Sequence, residues 1–295
     1  MGGISSAALL LTVASTLAFI GIITRATRRR RLIVMTTDGA SLPSEQSGPH
    51  GPLQIVVAHG LGGSNPSTKD HADDATRPLI LPVLAQLGLR AVWYTARGHG
   101  KSTGWEHGGA HQFTWSHLAG DLLAVASAHG LDRFIGVGNS MGAATVLVAA
   151  LQHPERFDGL VLYRPPTFWE MRSQRRHNLA SRANELRDEY GEDWPYAAVL
   201  DGSAATDLPA SDDVRVWSKI REIPILILCH GEDDVHPLSS GTRLKELLPH
   251  ATLEVAENHA HAEGSFPRLL SSWMQRVLTR AGTGRATHGA TSRMT

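Results

Sequence analysis

Ser140 stands in the stretch GNSMG of residues 138–142, directly after an apolar run. Residues 133–137 are mostly β-branched, aromatic or small and predict a strand, whereas the alanine- and valine-rich residues 143–151 predict a helix. A strand that turns directly into a helix around G-x-S-x-G exposes a serine hydroxyl for nucleophilic attack. The helix N-terminus also favours the negative charge that develops there. Ser140 is therefore the candidate nucleophile.

A serine hydroxyl needs a base to take its proton and a carboxylate to orient that base. The apolar run 225–229 leads into a loop with the adjacent acids Asp233 and Asp234. The run 251–255 leads into a loop with two candidate bases, His259 and His261. The order serine, acid, histidine, each just past a predicted strand, is the order of one known fold. The remaining histidines of these segments, His230 and His236, are interpreted as polar loop residues.

The oxyanion formed in acyl transfer needs hydrogen-bond donors. The run 54–58 ends in HGLGG, residues 59–63, where glycines leave backbone N–H groups free to point into a pocket. The backbone N–H groups of Leu61 and Met141 are the predicted oxyanion hole. His59 is expected to brace this loop.

Short apolar runs alternate with helical stretches from residue 32 onward, which predicts an α/β fold with a mostly parallel central sheet flanked by helices. The predicted strands cover residues 32–35, 54–58, 90–94, 133–137, 159–163, 223–229 and 251–255. The predicted helices cover residues 77–87, 114–129, 143–153, 238–248 and 267–279.

An aromatic-rich insertion at about residues 164–219 interrupts the alternation, with apolar residues at helical spacing. It lies between two predicted strands whose loops carry candidate catalytic groups, so we interpret it as a lid over the carboxyl ends of the strands. Its arginines could attract an acidic substrate or an anionic lipid. Because acidic residues are interleaved with them, an exposed helix face is the simpler interpretation. These arginines are Arg172, Arg175, Arg176, Arg182 and Arg187.

Composition limits the partners. The 295 residues contain 28 Lys and Arg against 28 Asp and Glu, so no overall charge favours nucleic acid or an acidic partner. Cys229 is the single cysteine, which excludes internal disulfides and multi-cysteine zinc sites; its apolar surroundings predict a buried strand residue. His107 and His111 lack a surrounding set of carboxylates and cysteines, so no metal site is expected there.

The N-terminal 31 residues differ from the rest of the chain. Residues 3–24 carry no charge, and Arg25 and the run 28–31 follow them. This pattern predicts membrane association through residues 5–24, with the catalytic domain on the cytoplasmic side. The alternative is an extension outside the fold, in a cytoplasmic protein. The Gly-, Thr- and Arg-rich tail 281–295 is predicted to be disordered.

Five stretches occur in the order of one family: HGLGG at 59–63, RGHGKS at 97–102, GNSMG at 138–142, GEDD at 231–234 and a histidine loop near residue 261. Together they span roughly residues 32–280 and resemble the α/β-hydrolase fold family. The resemblance implies a Ser-Asp-His triad, no metal and no organic cofactor. It does not imply a particular substrate.

Carried onto this sequence, the resemblance assigns the triad to Ser140, Asp234 and His261. The loop that leads to Pro237 is one residue shorter than the family's pattern, which leaves Asp233 as an alternative acid. His259 is the alternative base.

The expected activity is that of a serine hydrolase that cleaves a small-molecule carboxylic ester, lactone or thioester through an acyl-enzyme on Ser140. Residues 138–145 also resemble the nucleophile region of the ring-cleavage-product hydrolases, so C–C bond hydrolysis is a second hypothesis. A third is a non-catalytic hydrolase-fold receptor. No feature of the sequence indicates the oligomeric state.

Overall fold

An eight-stranded sheet forms the centre of the computed structural model, which describes residues 30–47, 54–62, 76–104 and 109–291. The strand order is β1-β2-β4-β3-β5-β6-β7-β8. Strands β1 and β2 are antiparallel to their neighbours, and the other six pair in parallel. The strands are β1 Arg30–Met35, β2 Ser41–Ser47, β3 Gln54–Ala58, β4 Arg90–Tyr94, β5 Phe134–Asn139, β6 Phe157–Tyr163, β7 Ile225–His230 and β8 Thr252–Ala256.

Helices cover both faces of this sheet. Apolar residues of α2 and α3 fill the core on one face, and those of α1 and α8 fill it on the other. The helices are α1 Thr76–Leu87, α2 Trp115–Ala128, α3 Met141–Gln152, α4 Ser173–Tyr190, α5 Pro195–Ala205, α6 Val214–Trp217, α7 Leu238–Leu247 and α8 His259–Thr291. This three-layer arrangement confirms the predicted α/β fold class.

Strand β2 was not predicted from the sequence. Its residues SLPSEQS lack β-branched and aromatic side chains and include Pro43, all of which disfavour a strand. Tertiary pairing overrides the weak local propensity, because β2 is hydrogen-bonded to β1 on one side and β4 on the other. Its buried Glu45 is balanced by an ion pair with Arg31 at 3.0 Å.

The insertion at residues 164–219 folds into helices α4, α5 and α6 with short 3₁₀ turns between them. Leu179, Leu186 and Leu200 form the centre of a separate small core between α4 and α5. Leu61, from the loop after β3, packs against this cluster. The insertion therefore reaches the glycine-rich loop on which the oxyanion hole was predicted.

The sequence made predictions for both ends of the chain, an N-terminal membrane anchor and a disordered C-terminal tail. The predicted anchor, residues 5–24, lies outside the described residues. Within the part of the chain that the structure covers, no helix combines the length and apolarity needed to cross a membrane. At the other end, α8 begins at His259 and continues to Thr291, so residues 281–291 are helical where the sequence predicted disorder.

Candidate active site

Ser140 occupies a strained backbone position between β5 and α3. Its φ of 54° and ψ of −115° lie outside the regions that non-glycine residues ordinarily adopt. Hydrogen bonds hold this conformation: the Ser140 N–H donates to the Tyr163 carbonyl at 3.0 Å, and the Ser140 carbonyl accepts from the Ala143 N–H at 2.9 Å. The predicted strand-turn-helix around the serine is therefore present.

The flanking glycines allow the strand and the helix to approach closely. A Cβ added at Gly138 would lie 2.2 Å from the carbonyl oxygen of Gly142. A Cβ added at Gly142 would lie 2.1 Å from the carbonyl oxygen of Ala58 on β3. Both obstacles are backbone atoms, which cannot move aside as a side chain can. The two glycines are thus required by packing.

Replacing Gly142 by alanine is expected to lower the free energy of unfolding by about 2 kcal/mol or more, within the usual cost of overpacking. Gly120→Ala is the matched control, because Gly120 lies within α2 and an added Cβ there meets nothing within 4 Å. That change is expected to raise stability by about 0.5–1 kcal/mol. Urea denaturation measures both, and equal effects at the two positions would contradict the packing argument.

The side chain hydrogen-bonded to the serine is His236. Its Nε2 lies 2.7 Å from Ser140 Oγ, and its Nδ1 lies 3.0 Å from each carboxylate oxygen of Asp233. Because a carboxylate only accepts hydrogen bonds, Nδ1 carries the proton and the Nε2 lone pair faces the hydroxyl. The imidazole is thus oriented to accept a proton from Ser140.

The loop between β7 and α7 folds back on itself to position these two side chains. Asp233 Oδ1 accepts hydrogen bonds from the backbone N–H groups of Val235 at 3.2 Å and His236 at 3.0 Å. The preceding Glu232 adopts a positive φ of 59°, which turns the chain. Arg164, at the end of β6, donates from Nε to Asp233 Oδ2 at 2.7 Å.

Two opposing influences set the charge of Asp233. Burial raises its pKa, but the hydrogen bonds and positive charge of His236 and Arg164 outweigh burial and hold the pKa well below the usual range. Asp233 is therefore ionised throughout the range in which enzymes commonly work. An ionised carboxylate is the state that can orient and stabilise a protonated imidazole.

Burial lowers the pKa of His236, because it disfavours the charged imidazolium. The hydrogen bond and negative charge of Asp233 raise that pKa, and the nearby Arg164 and Arg175 lower it, so the net shift is downward. A histidine with a lowered pKa is neutral at pH 7. His236 can therefore act as a general base without first losing a proton.

Two of the residues assigned to the triad lie elsewhere. Asp234 is exposed, and its neighbour Asp233 makes the contacts with histidine. His261 is exposed on the first turn of α8, where its backbone N–H donates to Asn258 Oδ1 at 3.0 Å. His259 is also exposed and faces Glu263. Among the described residues, none of these three lines the cleft around Ser140.

The histidine that reaches Ser140 was missed by the sequence analysis. The sequence predicts a polar loop role for His236, because the family pattern places the base in the loop after β8. The shortened loop before Pro237 is the signal in the sequence, and it indicates Asp233 as an alternative acid. It did not by itself indicate that a histidine three residues after Asp233 would turn towards Ser140.

The two residues predicted to form the oxyanion hole lie beside Ser140. Leu61 and Met141 line the same cleft as Ser140. Met141 is the first residue of α3, so its N–H has no partner within the helix. His59 braces the loop of Leu61: its Nε2 accepts from the Ala96 N–H at 2.9 Å, and its Nδ1 lies 2.8 Å from the Gly60 carbonyl.

The cleft above Ser140 is narrow. The open space in it amounts to about 30 Å³, room for on the order of two water molecules. Leu61 and Met141 line it from the sheet domain, and Arg172, Arg175 and Leu179 line it from the insertion. Residues of the insertion thus form part of the wall of the cleft that contains Ser140.

The RGHGKS stretch supports the fold through ion pairs and a buried histidine. Arg97 forms ion pairs with Asp121 and Asp38, each at 2.6 Å. His99 is buried, which lowers its pKa to about 3. Within the described ranges, no three histidine, cysteine, aspartate or glutamate side chains are grouped so that they could hold a metal ion.

A family model described as the alpha/beta hydrolase fold matches residues 54–207 of the chain. Ethanol acetyltransferase 1 of Kluyveromyces marxianus is 36% identical over 110 residues, which is 37% of this chain and 26% of that protein. A putative carbamate hydrolase of Caulobacter sp. is 26% identical over 244 residues, 70% of this chain and 83% of that protein. The chain thus spans about a quarter of the acetyltransferase and most of the carbamate hydrolase.

Solved structures share the architecture. A carboxylesterase structure from the thaumarchaeon Nitrososphaera gargenis superposes with a TM-score of 0.65 at 16% identity, and the match covers 85% of this chain and 100% of that one. At this identity the likeness shows the fold alone.

Proposed function

Because the chain belongs to the α/β-hydrolase fold family, we propose that it cleaves carboxylic esters of small acids through an acyl-enzyme on Ser140. The observation that carries this proposal is the hydrogen-bonded series Ser140, His236, Asp233, with distances of 2.7 Å and 3.0 Å. This arrangement meets the geometric requirement for an activated serine nucleophile.

The first half of the reaction forms the acyl-enzyme. Ser140 Oγ attacks the ester carbonyl carbon while His236 Nε2 takes the hydroxyl proton, and the carbonyl oxygen becomes an oxyanion. The N–H groups of Leu61 and Met141 donate to that oxyanion. His236 then gives its proton to the alkoxide as the C–O bond breaks, which releases the alcohol.

The second half returns the enzyme to its starting state. Water gives a proton to His236 Nε2 and attacks the acyl carbon, forming a second oxyanion. This intermediate collapses, the Ser140 oxygen leaves and regains a proton from His236, and the acid is released. Ionised Asp233 stabilises the imidazolium in both halves without accepting its proton.

The narrow cleft supports a short acyl group. Open space for on the order of two water molecules accommodates an acetyl-sized group more readily than a long chain. Two relatives are named for reactions at small acyl carbons, an ethanol acetyltransferase and a carbamate hydrolase. Both names are consistent with a Ser140 nucleophile beside an oxyanion hole.

The test uses the full chain and a series of 4-nitrophenyl esters from acetate to octanoate, beside Ser140→Ala. We expect the short esters to be hydrolysed fastest, and we expect the substitution to lower kcat by at least about 10⁴-fold. A fluorophosphonate probe should label the wild type and leave Ser140→Ala unlabelled. A folded protein with neither Ser140-dependent hydrolysis nor labelling would overturn the proposal and favour C–C cleavage or a receptor.

The pH dependence of kcat/KM reports the state of the base. Because the pKa of His236 is lowered, its neutral form persists as the pH falls through the ordinary histidine value of about 6.5. We therefore expect activity to be retained at pH 6.5 and lost only at lower pH. A pH profile of ester hydrolysis, corrected for spontaneous hydrolysis, measures this, and a rising limb centred above pH 7 would contradict it.

A further inference from the structure

The five arginines of the insertion fall into two groups. Three of them are paired with carboxylates: Arg176 with Asp207, Arg182 with Glu185 and Arg187 with Asp201. The remaining two, Arg172 and Arg175, are the ones that line the cleft over Ser140. Among the described residues, no carboxylate lies within ion-pair distance of either. The exposed-face interpretation therefore fits three of the arginines and leaves these two unexplained.

Arg172 is a buried cation held by neutral groups. Its guanidinium donates to the backbone carbonyls of Thr206 at 2.9 Å, Thr167 at 3.0 Å and Ser203, and it lies 4.3 Å from the centre of the Trp115 ring. Burial lowers the pKa of Arg172 to about 10, so it stays charged at pH 7. These hydrogen bonds fix the position of the Arg172 guanidinium, and its buried positive charge makes the electrostatic potential in the cleft more positive.

Arg175 lies one turn further along, on α4, and is half-buried. The structure gives its guanidinium no hydrogen-bond or ion-pair partner among the described residues. It is close enough to the base for its positive charge to oppose protonation of His236. A guanidinium presents a planar fork of donors that matches a carboxylate.

The charges around the cleft do not cancel. The described residues that line it include two guanidinium groups and no carboxylate. Asp233, the nearest acid on the side of the base, is already paired with His236 and Arg164. Asp207, which acts on Arg172 from a distance, is paired with Arg176. A ligand with a negative charge would complete this arrangement.

We propose that the substrate is an ester with a carboxylate in its acyl or alcohol part, and that Arg175 binds this carboxylate while the buried charge of Arg172 supports it. The inference deepens the proposed function and rests on it for the reaction that the bound ester undergoes. Arg175 is a specificity-determining residue in this account, because it contacts the substrate away from the reacting carbon.

Two matched substrate pairs test the inference. Mono(4-nitrophenyl) fumarate and 4-nitrophenyl crotonate differ by a carboxylate in place of a methyl group in the acyl part, and the trans double bond prevents the carboxylate from attacking its own ester. The second pair, 3-acetoxybenzoate and its methyl ester, places the charge in the alcohol part. The measured quantity is kcat/KM for the charged ester divided by kcat/KM for the neutral one. Intrinsic reactivity cancels when this ratio is compared between variants.

We expect Arg175→Gln to lower the ratio by about 10-fold or more for at least one pair, the usual effect of losing a hydrogen bond to a charged group. Arg182→Gln is the matched control, because Arg182 lies on the same helix, exposed and paired with Glu185. It should leave both ratios unchanged. Ratios that are the same in the wild type and Arg175→Gln for both pairs would overturn the inference.

A binding measurement separates this inference from the proposed function. Calorimetry on Ser140→Ala should show binding of monomethyl fumarate and weaker binding of methyl crotonate, with the difference lost in the Ser140→Ala, Arg175→Gln double variant. Selective binding without Ser140-dependent hydrolysis in the wild type would reject the proposed reaction and keep the carboxylate site. Hydrolysis of neutral esters without selective binding of monomethyl fumarate would reject the carboxylate site and keep the proposed reaction.

Discussion

Replacing His236 by alanine will lower kcat/KM for a 4-nitrophenyl ester by at least about 10³-fold, because general-base assistance to the serine is lost. The same change at His261 will alter kcat/KM by no more than about threefold, since the His261 side chain is exposed on α8 and does not line the cleft. Steady-state kinetics on both variants, with the unfolding midpoint as a check of folding, measures the contrast.

The comparison of these two histidines is decisive because the family pattern and the geometry disagree. The pattern selects His261 or His259, whereas the 2.7 Å contact with Ser140 Oγ belongs to His236. A large loss in His261→Ala or His259→Ala, together with near-normal activity in His236→Ala, would place the base in the loop after β8. Such a result would mean that the loop after β7 rearranges before catalysis.

Replacing Asp233 by asparagine will lower kcat by about 10³–10⁴-fold, the range expected when the group that fixes the tautomer of a catalytic histidine becomes neutral. The amide can present its NH₂ group to Nδ1, which favours the tautomer with the proton on Nε2 and removes the base from Ser140. Arg164 would also lose the anion that it contacts at 2.7 Å.

The adjacent acid gives a matched control for this experiment. Asp234→Asn removes the same charge one residue away, at an exposed position, and will change kcat by no more than about twofold. Equal losses in the two variants would indicate an effect of net charge on the loop and contradict the orienting role of Asp233. The pair also separates the two acids that the sequence left as alternatives.

Much of the fold could be predicted because it follows from local patterns. Apolar runs identified seven strands, and the glycines around Ser140 identified the strained turn, because steric requirements at Gly138 and Gly142 leave no other residue type. Strand β2 could not be predicted in this way. Its existence depends on pairing with β1 across a short connection and with β4, which lies far along the chain.

The candidate site also combines features that local sequence predicts with features that it does not. Ser140 follows from residues adjacent in the chain, whereas the choice among histidines depends on how a seven-residue loop folds. The positive φ of Glu232 and the hydrogen bonds that the backbone N–H groups of Val235 and His236 donate to the Asp233 carboxylate determine that path. The spacing of residues in the sequence predicts neither the positive φ nor these hydrogen bonds. The family pattern does not predict them either, because this loop is one residue shorter than in the family.

The loop between β7 and α7 carries both the histidine that contacts Ser140 and the carboxylate that contacts this histidine, three residues apart. Asp233 and His236 therefore move as one unit. A displacement of this loop changes the distance from the imidazole to Ser140 but keeps the carboxylate beside the imidazole. In a triad spread over two loops, by contrast, independent motions of the acid and the base would each break alignment. Under the proposed assignment the segment after β8 carries no catalytic residue, so its histidines and the start of α8 can change in sequence at little cost to the reaction.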